Sequence, residues 1–394
     1  MYADFLMSGS AGEHSDERPA DTRRRVLVVG ARGFVGRYLC PALSAAGYDV
    51  VQTSRTPSAD AGWLRLDVND PESLAPALEG VDTAIFLVHQ LEGVRNDYPA
   101  READAAASFA QAARQAGVRR TVYLGGIHPT QPRRIEALSD DNASANDDAG
   151  PSDASSSRER SGVTRVKPQP VAGGVMSRHL RSRLRSGEIL RAQAPSCIEL
   201  RAAMIIGAGS LSWSVVRDLV DNLPVMLLPP WLRAVSWPVA IDDVVAAVIA
   251  AVEYPGDEAH VFDLTGDVRV THRQVMERTW HVWRRKRYVA ALPLVSPTLS
   301  AVWVAMFTRA SWPVCRELLQ GLRWDLDSTQ MRACEALTEN APIPLDEAIA
   351  LALSDEAEGP SSPGPIAFAR MQRLGAKLES RWNTEPLRPA TSRW

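Results

Sequence analysis

Residues 25–36 read Arg-Val-Leu-Val-Val-Gly-Ala-Arg-Gly-Phe-Val-Gly, and this stretch constrains the fold more than any other. An apolar run, Val26 to Val29, leads into glycines at 30, 33 and 36, and Phe34, Val35, Tyr38 and Leu39 then recur at helical spacing. The pattern is a strand, a tight glycine turn and a helix. Glycines let the backbone turn sharply and approach a pyrophosphate, while the helix N-terminus offers free N–H donors and a positive dipole end. A second strand-like run, Tyr48-Asp-Val-Val-Gln-Thr, follows at the spacing of a βαβ unit. The sequence therefore predicts a dinucleotide site whose turn is built from Gly30, Arg32, Gly33, Phe34, Val35 and Gly36.

The end of the second strand refines the expected ligand. An NAD site usually carries Asp or Glu about 20 residues past the glycines, where it binds the ribose 2′-hydroxyl. Here the chain reads Thr53-Ser54-Arg55, and Arg32 adds a second cation inside the turn. Guanidinium groups bind phosphate in a fork geometry. We therefore expect NADP(H) to be preferred over NAD(H), with Arg32, Ser54 and Arg55 at the 2′-phosphate. The plainer alternative is that both arginines are solvated surface charges.

The alternation continues beyond this unit. Trp63 to Val68 reads as a short strand, Pro71 to Leu78 as a helix and Thr83 to Val88 as a buried strand. A long Ala-rich helix from Asp97 to Ala116 stops at Gly117, a natural left-handed cap. Arg120 to Leu124 is a strand, Ser177 to Gln193 a helix and Ile198 to Ile206 a strand again. Such alternation predicts an α/β fold with a Rossmann-type, doubly wound parallel sheet that binds ligands at the strands' C-terminal ends.

Two regions break the pattern. Residues 131–170 hold almost no large apolar residue and read as a disordered insert, since such a segment cannot bury enough surface to offset chain entropy. Residues 1–24 read as a disordered leader and 357–394 as a polar tail. The dinucleotide domain is then 25–130 with 171–210, and 211–356 forms a smaller C-terminal substrate-binding part that returns partly to the first domain. A net charge of −3 over 394 residues gives no reason to invoke nucleic acid. Four cysteines far apart, Cys40, Cys197, Cys315 and Cys334, fit reduced thiols in a cytoplasmic protein.

Several further pieces bear a family likeness: Leu66-Asp67-Val68, Phe86-Leu-Val-His89, Val122-Tyr-Leu-Gly-Gly126 and Ser177-Arg-His-Leu-Arg-Ser-Arg-Leu-Arg-Ser-Gly-Glu188. Leu200-Arg-Ala-Ala-Met-Ile-Ile-Gly207 and Val239-Ala-Ile-Asp-Asp-Val244 extend the series. With the glycine turn, these resemble the atypical, extended branch of the short-chain dehydrogenase/reductase superfamily, and within it NmrA-like and complex-I-accessory-subunit-like proteins. The resemblance covers 25–130 and 175–325. It implies that Asp67 contacts the adenine and that Leu87, Val88 and His89 lie along the cofactor. Reductases of the superfamily use a Ser and a Tyr-x-x-x-Lys pair around the nicotinamide. This chain departs at all three places, with Gly125-Gly126, His179 and Arg183.

His179 titrates near neutrality and can transfer a proton, and Arg183 can pair with ribose or an anionic substrate. His128 follows the glycine pair and is a third catalytic candidate. Each also reads as an ordinary polar residue of a helix or turn. No metal-ligand spacing or nucleophile elbow occurs, so neither a metal nor covalent catalysis is expected. The aromatic-rich second half, with Trp237, Trp280, Trp283 and Trp303, suits either an apolar pocket or an ordinary core. Residues 284–307, basic and then apolar, read as core rather than as a peripheral membrane contact. Three functions remain: an oxidoreductase acting on a small apolar carbonyl or quinone-like substrate, a non-catalytic dinucleotide sensor or assembly factor with a protein partner, and, as the weakest, a peripheral membrane protein docking through residues 284–307.

Overall fold

The computed structural model describes residues 24–56, 62–88, 98–129, 177–223, 225–228, 230–285, 288–291, 308, 312–322, 324–358 and 365–384. The expected leader, the 131–170 insert, His89 and most of 284–307 lie outside these residues. Strands β1 (Arg25–Val29), β2 (Asp49–Ser54), β3 (Trp63–Arg65), β4 (Thr83–Phe86), β5 (Arg120–Gly126) and β6 (Cys197–Ala202) build the first part of an eight-stranded sheet. Two later segments, His260–Leu264 and Met331–Arg332, complete it beyond β6. Starting from the edge at β3, the order runs β3, β2, β1, β4, β5, β6 and then these two. Every pairing is parallel. The strand order reverses between β1 and β4, which is where an open parallel sheet leaves a crevice at its C-terminal ends.

The unbroken apolar run of β1 has a direct cause. Val26 and Val28 face one hydrophobic core, and Leu27 and Val29 face the other. The first core lies under α1 (Phe34–Ala45) and α6 (Ile241–Glu253), with Tyr38, Leu39, Leu43, Val244 and Val248 buried. The second lies under α2 (Leu74–Leu78), α3 (Tyr98–Gln115) and α4 (Arg178–Gln193), with Leu74, Leu78, Phe109 and Leu190 buried. A sheet covered on both faces permits no polar alternation in its central strands. One buried cation serves this packing: Arg120 donates to the carbonyls of Ala251, Val252, Tyr254 and Gly256 and so closes the C-terminus of α6.

Three expectations change. The strand expected over Ile198–Ile206 is interrupted at Ala203–Met204. Its second half, Ile205–Ile206, leaves the sheet and pairs with Val239–Ala240. The helix expected over Pro71–Leu78 begins as a 3-10 turn at Pro71–Ser73, with the Asp70 carboxylate accepting from the Glu72 amide. Within the stretch that composition assigns to a polar tail, residues Pro365–Thr384 form a helix that packs along α1. Gly375 allows the approach, since a Cβ there would stand 2.1 Å from the Ala42 carbonyl oxygen. Arg370 then holds the helix by pairing with Asp242 at 2.6 Å and with both oxygens of Asp355 at 3.0 and 2.9 Å.

The smaller C-terminal part gathers α5 (Leu211–Asn222), α7 (His272–Val282) and the helix Trp312–Gly321 around Leu219, Met276, Trp280, Cys315 and Leu319. Trp280 therefore belongs to a packed core. Among the described residues no helix is long and apolar enough to cross a membrane.

Candidate functional site

The glycine turn sits at the sheet's reversal point. Gly30 adopts φ +93°, a left-handed conformation in which a side chain would be strained, and its carbonyl accepts from the Gly33 amide at 2.8 Å. At Gly36 a Cβ would lie 2.5 Å from the Ala31 carbonyl oxygen, so α1 reaches the turn only because that position has no side chain. No side chain caps the N-terminus of α1, which begins at Gly33 with its first amides turned toward the loop. Phe34 and Val35 pack their side chains on the core, Phe34 edge-on to Tyr38 at 5.7 Å, so what they present to a ligand is backbone. Leu87 follows β4 and donates its amide to Val29, and both it and Val88 lie 3.4 Å from where a Gly30 Cβ would be. The cradle fits a pyrophosphate.

Beside it, the Arg32 guanidinium lies over the Trp63 ring at 4.8 Å, preset by a cation–π contact. Arg32 and Arg55 are exposed, Ser54 is half-buried, and among the described residues neither arginine pairs with a carboxylate. Thr53 is turned inward, its hydroxyl donating to the Val28 carbonyl at 2.9 Å. Asp67 is half-buried just past β3, where its Oδ1 accepts from the Asn69 backbone and side-chain amides at 3.0 and 3.2 Å. Those bonds fix the carboxylate.

A second cluster forms where β5 ends against α4. Ser177 caps the helix, accepting from the Leu180 amide at 3.2 Å. His179 lies half-buried on the first turn, and Arg183 one turn later donates to the Leu124 carbonyl at 2.8 Å. A Cβ on Gly126 would stand 3.4 Å from the Arg183 Nε, so the arginine fills space that a side chain at 126 would take. The Tyr123 phenol donates to the Arg183 carbonyl, and complete burial pushes its pKa up to about 12. His128 is pushed down to about 4, by burial first and then by Arg201 and Arg191. The structure thus joins Gly125, Gly126 and Arg183 closely, and burial of His128, with Arg201 and Arg191 contributing less, keeps its imidazole neutral.

Those arginines belong to a group that motif reading missed. The Glu199 carboxylate on β6 pairs with Arg191 and, at 3.1 Å, with Arg201. It is wedged between two glycines: a Cβ on Gly125 would come 2.8 Å from Glu199 Oε1, and one on Gly187 2.4 Å. Gly125 is therefore more than a missing serine, because the room for its side chain is already occupied by this carboxylate. The available signal was Cys197-Ile-Glu-Leu-Arg-Ala, two charges inside a fully buried strand.

With the site described, its likeness to known proteins can be stated. Residues 26–142 match the profile described as the NAD dependent epimerase/dehydratase family. A Streptomyces protein described as 3-diazoavenalumate denitrifying reductase is 28% identical over 247 residues, covering 58% of this chain and 72% of that one. Solved structures share the fold at lower identity. MoeE5 in complex with UDP-glucuronic acid and NAD is 18% identical with a TM-score of 0.56, covering 84% of this chain and 98% of its own. A nucleoside-diphosphate-sugar epimerase from Staphylococcus aureus is 14% identical with a TM-score of 0.56, covering 83% and 99%. The chain has the Rossmann-like fold of NAD-binding epimerase and dehydratase structures, together with likeness to one reductase.

Proposed function

We propose that the protein is an NADP(H)-dependent reductase of the atypical short-chain dehydrogenase/reductase type, NmrA-like or complex-I-accessory-subunit-like, working in the cytoplasm. Its acceptor would require little proton assistance. The observation that carries this reading is the pairing of an intact glycine cradle with a reaction end where, among the described candidates, glycines stand at the serine position and His128 is held neutral, leaving His179 to move a proton. Gly30, Gly33 and Gly36 would hold the pyrophosphate, Arg32, Ser54 and Arg55 the 2′-phosphate, and Asp67, Leu87 and Val88 the adenine side and the body of the cofactor. When bound, NADPH supplies a hydride.

The chain's own residues limit what that hydride can reach. Ordinary ketone reduction needs a proton at oxygen, and a well-placed general acid contributes about 10²–10⁴-fold. His128 is deprotonated near neutral pH, and Gly125 and Gly126 carry no hydroxyl. His179 alone among the three candidates would remain to move one. Quinones and aryl diazonium ions suit such a site. A diazonium carbon that accepts a hydride expels N2 and needs no proton, and the reductase relative's name points to that class of chemistry. The region 211–356 would enclose an apolar acceptor.

Stopped-flow oxidation of NADPH on the full chain, with benzoquinone, a benzenediazonium salt and a set of simple ketones, tests the reading. Quinone or diazonium reduction with near-silent ketones is expected. Rapid ketone reduction surviving both His179→Ala and His128→Ala would overturn it. Binding of NADPH with no turnover of any acceptor would favour the second reading, a dinucleotide sensor or assembly factor, which rests on the same glycines and neutral His128.

A further inference from the structure

We infer that the reaction end of the site takes an organic anion, a substrate carboxylate held by Arg183 and Arg201. The inference rests on the reductase reading and adds the substrate's charge to it. Both arginines lie where β5 and β6 end, the side on which a parallel sheet binds its ligands. Arg201 is only 4% exposed, yet of its donors Nη2 reaches Glu199 while Nε has no partner among the described residues. Arg183 donates Nη2 to a neutral carbonyl, and its buried Nε also has no partner among the described residues. A desolvated guanidinium with an unused donor is costly unless an acceptor arrives.

The charges around this point are unevenly paired. Arg183, Arg191 and Arg201 contribute three positive charges. Glu199 supplies one negative charge through its two ion pairs. Asp263, opposite Arg201 in register, supplies another, though its Oδ2 already accepts from the Thr329 and Gln330 amides and the Ser328 hydroxyl. Glu188 is turned to Arg185, and Glu102 to the Ser182 hydroxyl. His128 is uncharged near neutral pH. Among the described residues only Glu199 forms ion pairs with these arginines, and the buried Nε donors of Arg183 and Arg201 are left for a carboxylate, which matches the fork of a guanidinium.

The test is calorimetric titration of the full chain, with and without saturating NADPH, using benzoate and its neutral counterpart benzamide. Benzoate is expected to bind at least about tenfold more tightly, a difference of about 1.4 kcal/mol. Arg183→Met and Arg201→Met should each weaken benzoate about tenfold or more while leaving benzamide and NADPH within about threefold. Arg201 also pairs with Glu199, so its variant counts only if its thermal melt stays cooperative; Arg183→Met stands without it. Equal binding of acid and amide, or no benzoate binding at about 20 mM, would overturn the inference, because a bidentate carboxylate contact at this site should exceed that limit. An Arg183→Met variant that loses NADPH affinity and keeps benzoate affinity would also overturn it, assigning Arg183 to the ribose. Failure to bind NADPH would defeat the reductase reading by itself, and the titration without cofactor would still report on the carboxylate site.

Discussion

The two ends of the site are built from different materials. The nucleotide end is backbone: a left-handed Gly30, an unprotected helix start and a close approach at Gly36, with two exposed arginines at its border. The proposed reaction end is side chain: an Arg191–Glu199–Arg201 triad in which Glu199 and Arg201 are buried and Arg191 half-buried, Arg183 bonded to β5, and His128 held neutral by burial. A backbone cradle depends on having no side chains in the way and accepts any ligand with a pyrophosphate. A buried charge network depends on every member and is specific to one chemistry. The difference predicts where the molecule resists substitution and where it tolerates it.

The largest effect should come from the reaction end. Glu199→Gln keeps the volume between Gly125 and Gly187 and removes the charge shared by the buried Arg201 and the half-buried Arg191 guanidiniums. Breaking such a pair typically costs about 3–5 kcal/mol, because the remaining charge has no compensation. Denaturant unfolding should report a loss of that order. A variant as stable as the parent would show that the triad is solvated and that the contrast between the two ends is false.

Next comes the cradle. Gly36→Ala places a methyl 2.5 Å from the Ala31 carbonyl oxygen, a backbone atom that cannot rotate aside. Overpacking of this kind costs about 1–3 kcal/mol. Because the strained segment is the turn proposed to hold the pyrophosphate, dinucleotide affinity should fall together with stability. Fluorescence titration with NADPH would measure it, and undiminished binding would remove the turn from the site.

What could be read from the sequence follows the same division. Local features were legible: the glycine turn, the strands around it and the Ser177 start of α4 all lie within a few residues of their cause. Glu199 was not, because its partners are Arg191 on the preceding helix, Arg201 two residues on, and glycines at 125 and 187, a constellation that exists only after β5, β6 and α4 have packed. The helix over 365–384 lay between the two cases. Met371 and Leu374 recur at helical spacing and pack on the core under α1. The polar composition around them outweighs that stripe until α1 is there to receive it. The break at Ala203–Met204 had no local signal, because Ile205 and Ile206 suit a strand in either sheet.

A smaller effect is expected at the border of the nucleotide end. Arg55→Ala should weaken NADPH by about 1.5 kcal/mol, the value of one charge-assisted phosphate contact, and leave NADH unchanged. Calorimetry with both cofactors separates the outcomes. Equal affinities for NADPH and NADH in the parent would reduce Arg32 and Arg55 to surface charges, leaving only the backbone cradle.

The smallest effect is a pH dependence that sets one histidine against a carboxylate far from it. His128 in the folded chain titrates near 4, well below the ordinary 6.5, because burial and then Arg201 and Arg191 oppose its protonation. Between those values the unfolded chain binds the proton and the folded chain does not, so stability is complete above about pH 6.5 and is lost as pH falls toward 4. Asp243 behaves oppositely. Burial raises it to about 7 despite the Ile343 amide it accepts from, and so its contribution is lost as pH rises from about 4 to 7. The two slopes overlap and partly cancel in the parent. His128→Gln should expose the falling slope of Asp243, and Asp243→Asn the rising slope of His128. Because His128 is not fully buried, its share is worth only about 1 kcal/mol. Thermal melts of the three proteins from pH 4.5 to 7 would resolve it, in about three steps of pH. Parallel profiles for the parent and His128→Gln would mean that the imidazole meets solvent rather than arginines, and the case for a reaction end that leaves His179 to move a proton would lose its main support.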